Sequence, residues 1–103
     1  MTEILDIIVN KFKEDVKVSD DKNVLYVEKI ENWLDIANFI HSDKNLEFNY
    51  LMCISTYDLG ESIKFGLVYN FYSTKLKHYL EVRFEFELET KIASVESIWK
   101  AAT

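Results

Sequence analysis

The sequence predicts an α+β fold of two layers, in which two helices pack on one face of a five-stranded, antiparallel-rich sheet. Two segments carry apolar residues at helical spacing, and five others have the composition and alternation of β-strands. Hydrophobic residues make up 49% of the 103-residue chain, enough for a modest core without disulfides or metals. The simplest way to bury these apolar surfaces is to place both helices on the apolar face of one sheet.

The first half of the chain is predicted to form a helix, a hairpin and a second helix. The helices lie near residues 3–14 and 31–41, because apolar residues recur there three and four positions apart. Between them, strands near residues 16–19 and 24–30 flank a polar turn at residues 20–23. The predicted buried residues are Ile4, Leu5, Ile8, Val9 and Phe12 in the first helix, and Trp33, Ile36, Ala37 and Ile40 in the second.

The second half is predicted to contain three consecutive strands, near residues 46–56, 63–73 and 79–88. The last has the clearest pattern, because apolar and charged residues alternate along it, as in a sheet covered on one face and wet on the other. The predicted apolar faces are Leu46, Phe48, Tyr50, Met52 and Ile54 in the first of these strands; Ile63, Phe65, Leu67, Tyr69 and Phe71 in the next; and Leu80, Val82, Phe84, Phe86 and Leu88 in the last.

Charge and composition exclude several classes of partner. The formal net charge of −6 disfavours nucleic acid, whose binding depends on Lys and Arg neutralising phosphates. No apolar run approaches the roughly 20 residues that a membrane span needs, so we expect no direct membrane insertion. Cys53 is the one cysteine and no signal peptide opens the chain, which favours a cytoplasmic location.

Histidine and cysteine are few and scattered, and the plentiful carboxylates form no recognisable catalytic or metal-binding pattern. His41, His78 and Cys53 do not lie at the spacing of metal ligands, and Cys53 is interpreted as a small packing residue. The carboxylates of the last strand alternate with apolar residues and are expected to be solvated. Gly60 and Gly66 match no phosphate-binding fingerprint. The residues themselves therefore predict no catalytic group, no metal and no cofactor.

Taken together, residues 41–102 resemble the 30-kDa subunit family of respiratory complex I, the C subunit of NADH-quinone oxidoreductase. The same family includes the related subunit of membrane-bound, energy-converting [NiFe] hydrogenases. Four segments carry the resemblance, in the family's order and spacing: residues 45–51, 54–58, 65–73 and 94–102. The last of these is interpreted as the opening of a helix.

This resemblance implies a subunit without flavin, iron–sulfur cluster or metal of its own. It implies a partner, the large 49-kDa-like catalytic subunit, together with other subunits of the complex, and a location in the cytoplasmic arm, peripheral to the membrane. The family's most diagnostic motif, Asn-Trp followed by Glu-Arg-Glu, would lie after Thr103, and Lys100 stands where the family usually has a proline. We therefore expect residues 1–103 to form one domain that lacks the family's C-terminal extension.

The end of the chain supplies the predicted partner interface, which consists of Ile98, Trp99, Ala101 and Ala102. A helix of one or two turns buries little by itself, and a large aromatic residue near the end of a chain is a typical interface anchor. The alternative interpretation is that Trp99 folds back over the sheet edge as an ordinary core residue.

Two other classes of function stay open at this point. One is a free-standing acidic interaction module, similar to an immunity or inhibitor protein, and the other is a small-molecule-binding α+β domain. Neighbouring genes for complex I or hydrogenase subunits would favour the respiratory interpretation, whereas a cofactor retained by the purified protein would favour a small-molecule binder.

Overall fold

Two helices and five strands follow one another in the predicted order. The computed structural model describes residues 2–60, 64–87, 92 and 94–99. Short 3-10 helices at Lys13–Asp15 and Ile30–Asn32 precede β1 and α2, respectively. The main elements are α1 (Thr2–Phe12), β1 (Val16–Val18), β2 (Val24–Val27), α2 (Trp33–Ser42), β3 (Tyr50–Asp58), β4 (Lys64–Ser73) and β5 (His78–Glu87).

The five strands form one sheet in the order β1-β2-β5-β4-β3. Three of the four neighbouring pairs are antiparallel, as predicted, and β2 pairs with β5 in parallel. It follows from these pairings that β2 and β3 run in the same direction. Helix α2 carries the chain between them, and β5 and β4 are inserted into the gap, which gives a split β-α-β arrangement.

The turn between β1 and β2 is closed by the side chains of Ser19 and Asp21. The Ser19 hydroxyl donates to Asp21 Oδ1 at 2.6 Å, and the Val24 amide donates to Ser19 Oγ at 3.1 Å. The hydrogen bond from Ser19 is the main reason that the pKa of Asp21 lies below its ordinary value. These local bonds explain why a polar turn at this point makes a hairpin, as the sequence predicted.

One apolar cluster contains residues from both helices and from one face of the sheet, which agrees with the predicted two-layer fold. Trp33, the first residue of α2, is wholly buried at its centre. Its ring centroid lies 5.0 Å from that of Tyr69, 5.4 Å from that of Phe84 and 6.3 Å from that of Phe71. These aromatic contacts fix α2 across β4 and β5.

The prediction for the third strand is wrong in its start and in its apolar face. Leu46 and Phe48 are buried, but they lie in the loop before β3. Within the strand, Tyr50, Met52 and Ile54 are 49%, 46% and 44% exposed. Tyr50 points away from the core because its neighbour Leu51 points into it, opposite Phe71. A β-bulge between Leu51 and Cys53 then shifts the alternation by one residue, so that Ile54 lies opposite buried Tyr69 and is exposed because β3 is at the sheet edge.

Strand β5 confirms the predicted alternation over its described residues. Leu80, Val82 and Phe84 are buried, whereas Glu85 is exposed. Leu88, which was predicted to extend this face, lies outside the described residues. The regular pattern is preserved because β5 lies between β2 and β4, and one of its faces is covered by the core.

We expect Phe84→Ala to lower the free energy of unfolding by about 3–5 kcal/mol, because it removes a buried ring and leaves a cavity. The neighbouring Glu85→Ala should change it by no more than about 0.5 kcal/mol, since that side chain is exposed. Urea denaturation of the two variants measures both values. Equal effects would mean that the register of β5 is misassigned.

Candidate partner interface

A row of three tyrosines crosses the sheet on the face away from the helices. Tyr50, Tyr72 and Tyr79 lie opposite one another in β3, β4 and β5. The ring centroids of Tyr72 and Tyr79 are 4.4 Å apart, and Tyr79 is 55% exposed. Tyrosine is enriched in protein interfaces because it combines a large apolar ring with a polar tip. The row is therefore a candidate contact surface.

The sequence could identify only part of this row. Tyr72 and Tyr79 fall outside the predicted apolar faces of their strands, but Tyr50 was assigned to the core face. The alternation of side chains along β4 and β5 does indicate the orientation of the other two tyrosines. Tyr72 follows buried Phe71, and Tyr79 precedes buried Leu80, so both point away from the core. The bulge in β3 carries no comparable sequence signal.

Farther along the same face, Arg83 forms an ion pair with Glu81 and also contacts the ring of Tyr57. Its Nε donates to Glu81 Oε2, and its guanidinium lies 5.6 Å from the centroid of the Tyr57 ring. The hydrogen bond to Glu81 is the main reason that the pKa of Arg83 is raised. Burial, followed by the charge of Glu85, raises the pKa of Tyr57. Arg83 and Tyr57 thus form a polar neighbour to the tyrosine row.

The Tyr57 ring lies over Gly66, its register partner in β4. A methyl group at Gly66 would overlap three atoms of this ring, so the strand needs a residue without a side chain there. In the sequence, Gly66 matches no phosphate-binding fingerprint. The structure gives it a packing role on the helix-free face of the sheet.

The C-terminal segment forms a turn against the core. The amides of Ile98 and Trp99 both donate to the Val95 carbonyl, at 2.9 and 3.0 Å. Trp99 is only 4% exposed, and its indole Nε1 donates to the Phe48 carbonyl at 2.6 Å. Its ring lies 4.7 Å from the Phe71 ring, centroid to centroid. The indole therefore ties this segment to the loop that precedes β3.

The predicted interface residues lie in or beyond this turn. Trp99 occupies the core of the isolated chain, which is where the alternative interpretation placed it, and Ile98 is half-buried. Ala101 and Ala102 lie outside the described residues. Contact of these four residues with a partner stays a prediction.

The two histidines serve packing and backbone contacts. His78 Nε2 lies 2.7 Å from the Leu46 carbonyl, to which it donates, and its ring is 4.7 Å from that of Phe48, centroid to centroid. The ring of His41 contacts Trp99 edge to face. His78 therefore holds the start of β5 against the loop before β3, whereas His41 Nδ1 lies 3.4 Å from the Oγ of its neighbour Ser42 at the exposed end of α2.

Cys53 differs from its expected role as a packing residue. It is exposed on the helix-free face, where Asn70 Nδ2 lies 3.4 Å from its Sγ. The bulge that precedes it turns its side chain away from the core. Among the residues that the structure describes, no group of three or more His, Cys, Asp and Glu side chains is close enough to hold a metal ion.

One shallow cleft of about 460 Å³ lies beside α1. Its lining mixes two apolar side chains with polar and charged ones: Glu3, Ile4, Asp6, Ile7, Asn10, Asn45 and His78. In the described part of the chain, no helix is long and apolar enough to span a membrane.

Comparison with known proteins assigns most of this fold to one family. The family described as "Respiratory-chain NADH dehydrogenase, 30 Kd subunit" matches residues 25–103. The chain belongs to this family. The match confirms the resemblance of residues 41–102 and extends it into β2 and α2, where the sequence carries no family signature.

Two curated relatives are the C subunits of NADH-quinone oxidoreductases. The protein of Chloroherpeton thalassium is 35% identical over 101 residues, which cover 93% of this chain and 42% of the relative. That of Chlorobium phaeobacteroides is 29% identical over 102 residues, which cover 94% of this chain and 61% of the relative. The chain thus spans about two-fifths to three-fifths of the length of these relatives.

The fold also occurs in a solved respiratory assembly. A chain in the structure of the membrane-bound sulfane sulfur reductase, an archaeal respiratory membrane complex, superposes with a TM-score of 0.68 at 20% sequence identity. The match covers 97% of this chain and 59% of the archaeal chain. At this level of identity the comparison shows that the fold is shared.

Gly66→Ala should lower the free energy of unfolding by about 1–3 kcal/mol, because the new methyl group displaces the Tyr57 ring. In a Tyr57→Ala background the same change should cost little. The two substitutions should therefore be coupled by about 0.5–3 kcal/mol in a double-mutant cycle. Urea denaturation of the four proteins measures the coupling, and additive effects would contradict the contact.

Proposed function

We propose that this protein is a docking subunit, without a redox cofactor of its own, in the cytoplasmic arm of an NADH-quinone oxidoreductase or a related membrane-bound [NiFe] hydrogenase. Its partner is the large 49-kDa-like catalytic subunit. The observation that carries this proposal is the family match over residues 25–103. That match also weighs against a free-standing inhibitor-like module and against an unrelated small-molecule binder.

The arrangement of polar side chains supports a docking role. His78 and Trp99 both use a ring N–H to bind a backbone carbonyl, so these polar atoms hold loops in place. The Arg83–Glu81 pair lies on the sheet surface, where such pairs contribute little stability but help to orient a partner. The exposed rings of Tyr50 and Tyr79 add apolar contact area beside it.

The proposed cytoplasmic and peripheral location rests on chemistry and on the family. Cys53 is an exposed free thiol, which suits a reducing compartment. With a net charge of −6, the chain has no general attraction to an anionic lipid surface. Attachment to a membrane would then come from other subunits of the complex.

The purified protein should show no flavin or iron–sulfur absorbance in the visible range and no NADH oxidation. The reason is that its proposed role requires neither group, and catalysis would belong to other subunits. Absorbance spectra and an NADH oxidation assay on the full-length protein measure this, with the assembled complex as the positive control. A cofactor retained in stoichiometric amount would contradict the proposal.

Trp99→Ala should lower the free energy of unfolding by about 3–5 kcal/mol, because it removes a buried ring. It also leaves the Phe48 carbonyl without its donor. Trp99→Phe keeps most of the ring packing, loses the hydrogen bond and should cost about 1–3 kcal/mol. Urea denaturation measures both values.

The same two variants separate a core role from partner contact. A pull-down of the large subunit is run below the melting temperatures of both variants. If recovery with Trp99→Ala equals that of the unsubstituted protein, Trp99 is a core residue and has no part in docking. If the better folded Trp99→Phe loses the large subunit, the predicted contact through Trp99 is supported.

A further inference from the structure

The two edges of the sheet are protected very differently. Strand β1, at one edge, has three residues and carries Lys17 at its centre, directly before the charged turn at residues 20–23. Short length and an exposed lysine are the usual means by which proteins prevent a foreign strand from pairing with an edge. Strand β3, at the other edge, has nine residues and contains neither Lys, Arg nor Pro.

Strand β3 is regular after its bulge and carries exposed apolar side chains along its length. After the bulge, residues 53–58 pair with β4 without interruption, and Asp58 is the one charged residue among them. Six large hydrophobic side chains are exposed in the described part of the chain, and three of them, Tyr50, Met52 and Ile54, belong to β3. A fourth, Tyr79, lies in the same row as Tyr50.

The backbone of this edge is available for pairing. In the part of the chain that the structure describes, the backbone hydrogen bonds of residues 53–58 go to β4 alone. Because alternate peptide groups of a strand point to opposite sides, those on the outer side have no protein partner there. Such a row of donors and acceptors is a template for an added strand.

We infer that residues 53–58 pair with an extended segment of another subunit, which adds a sixth strand beside β3. This inference rests on the proposed docking function and names the surface that performs it. The segment is uncharged or basic, because the edge carries Asp58 and the whole chain has a net charge of −6. It presents an apolar or aromatic residue beside Tyr50, where it continues the tyrosine row.

A second copy of this chain is a poorer occupant for the same edge. Two copies would each bring a net charge of −6, so their long-range interaction is repulsive. An antiparallel β3–β3 pair would also place no basic residue opposite Asp58, since β3 has none. A basic or neutral segment from a different subunit satisfies both conditions.

Hydrogen exchange of the backbone amides tests this inference in the full-length protein, alone and co-purified with the large subunit of its complex. The outward-facing amides within residues 53–58 should exchange at least about tenfold more slowly in the complex, because pairing protects them from water. Amides of β1 should be unchanged and serve as an internal reference.

Two matched substitutions extend the test to affinity. Ile54→Lys and Leu34→Lys each place a lysine at an exposed apolar residue, 44% and 39% exposed, but only Ile54 lies on β3. Ile54→Lys should weaken recovery of the large subunit by about tenfold or more, because it places a cation against a neutral or basic strand. Leu34→Lys should leave recovery within about twofold. Melting temperatures show that both variants are folded.

The outcomes separate this inference from the proposed function. Binding of the large subunit with no slowing of exchange at residues 53–58 would overturn the added strand and leave docking intact. If amide exchange at residues 53–58 is already slow in the free protein and slows further as its concentration rises, the edge pairs with a second copy of the chain instead. A protein that binds no subunit of the complex would overturn both proposals.

Discussion

The packing of Trp33 on the sheet is the contact on which the rest of the structure depends. Its ring contacts Tyr69, Phe71 and Phe84, so the start of α2 is fixed over β4 and β5. Strand β3 lies beyond these two strands, at the edge of the sheet. Ile54 is exposed there, although its register partner, Tyr69, is buried.

The second constraint is the indole hydrogen bond of Trp99. It joins the C-terminal turn to the loop before β3, and His78 holds the same loop from the start of β5. Three distant parts of the chain therefore meet around residues 46–48. The tyrosine row begins close to this junction, because Tyr50 lies at the start of β3. The contacts that hold the C-terminal turn therefore also hold the loop that leads into the tyrosine row.

Regular patterns made much of the fold predictable from the sequence. The helical stripes identified α1 and α2, and the alternation around Phe84 identified β5 and its buried face. The predicted face of β3 was wrong because a bulge between Leu51 and Cys53 depends on tertiary contacts and changes no local propensity. The candidate interface was harder to predict, since the tyrosine row depends on which strands are neighbours and on their register. That order is decided by long-range pairing, which periodicity does not encode.

The parallel pairing of β2 with β5 also determines the order in which the chain can fold. Val24 pairs with Glu81, so most of the chain separates these two residues, whereas β3, β4 and β5 pair with their sequence neighbours. Closing the larger loop costs more chain entropy, and contacts between distant residues slow folding. The β3–β4–β5 meander can therefore form first, whereas the hairpin of β1 and β2 can dock on the sheet only after β5 has been synthesised. Until the hairpin docks, the β5 edge that receives β2 is exposed to the solvent and to other chains.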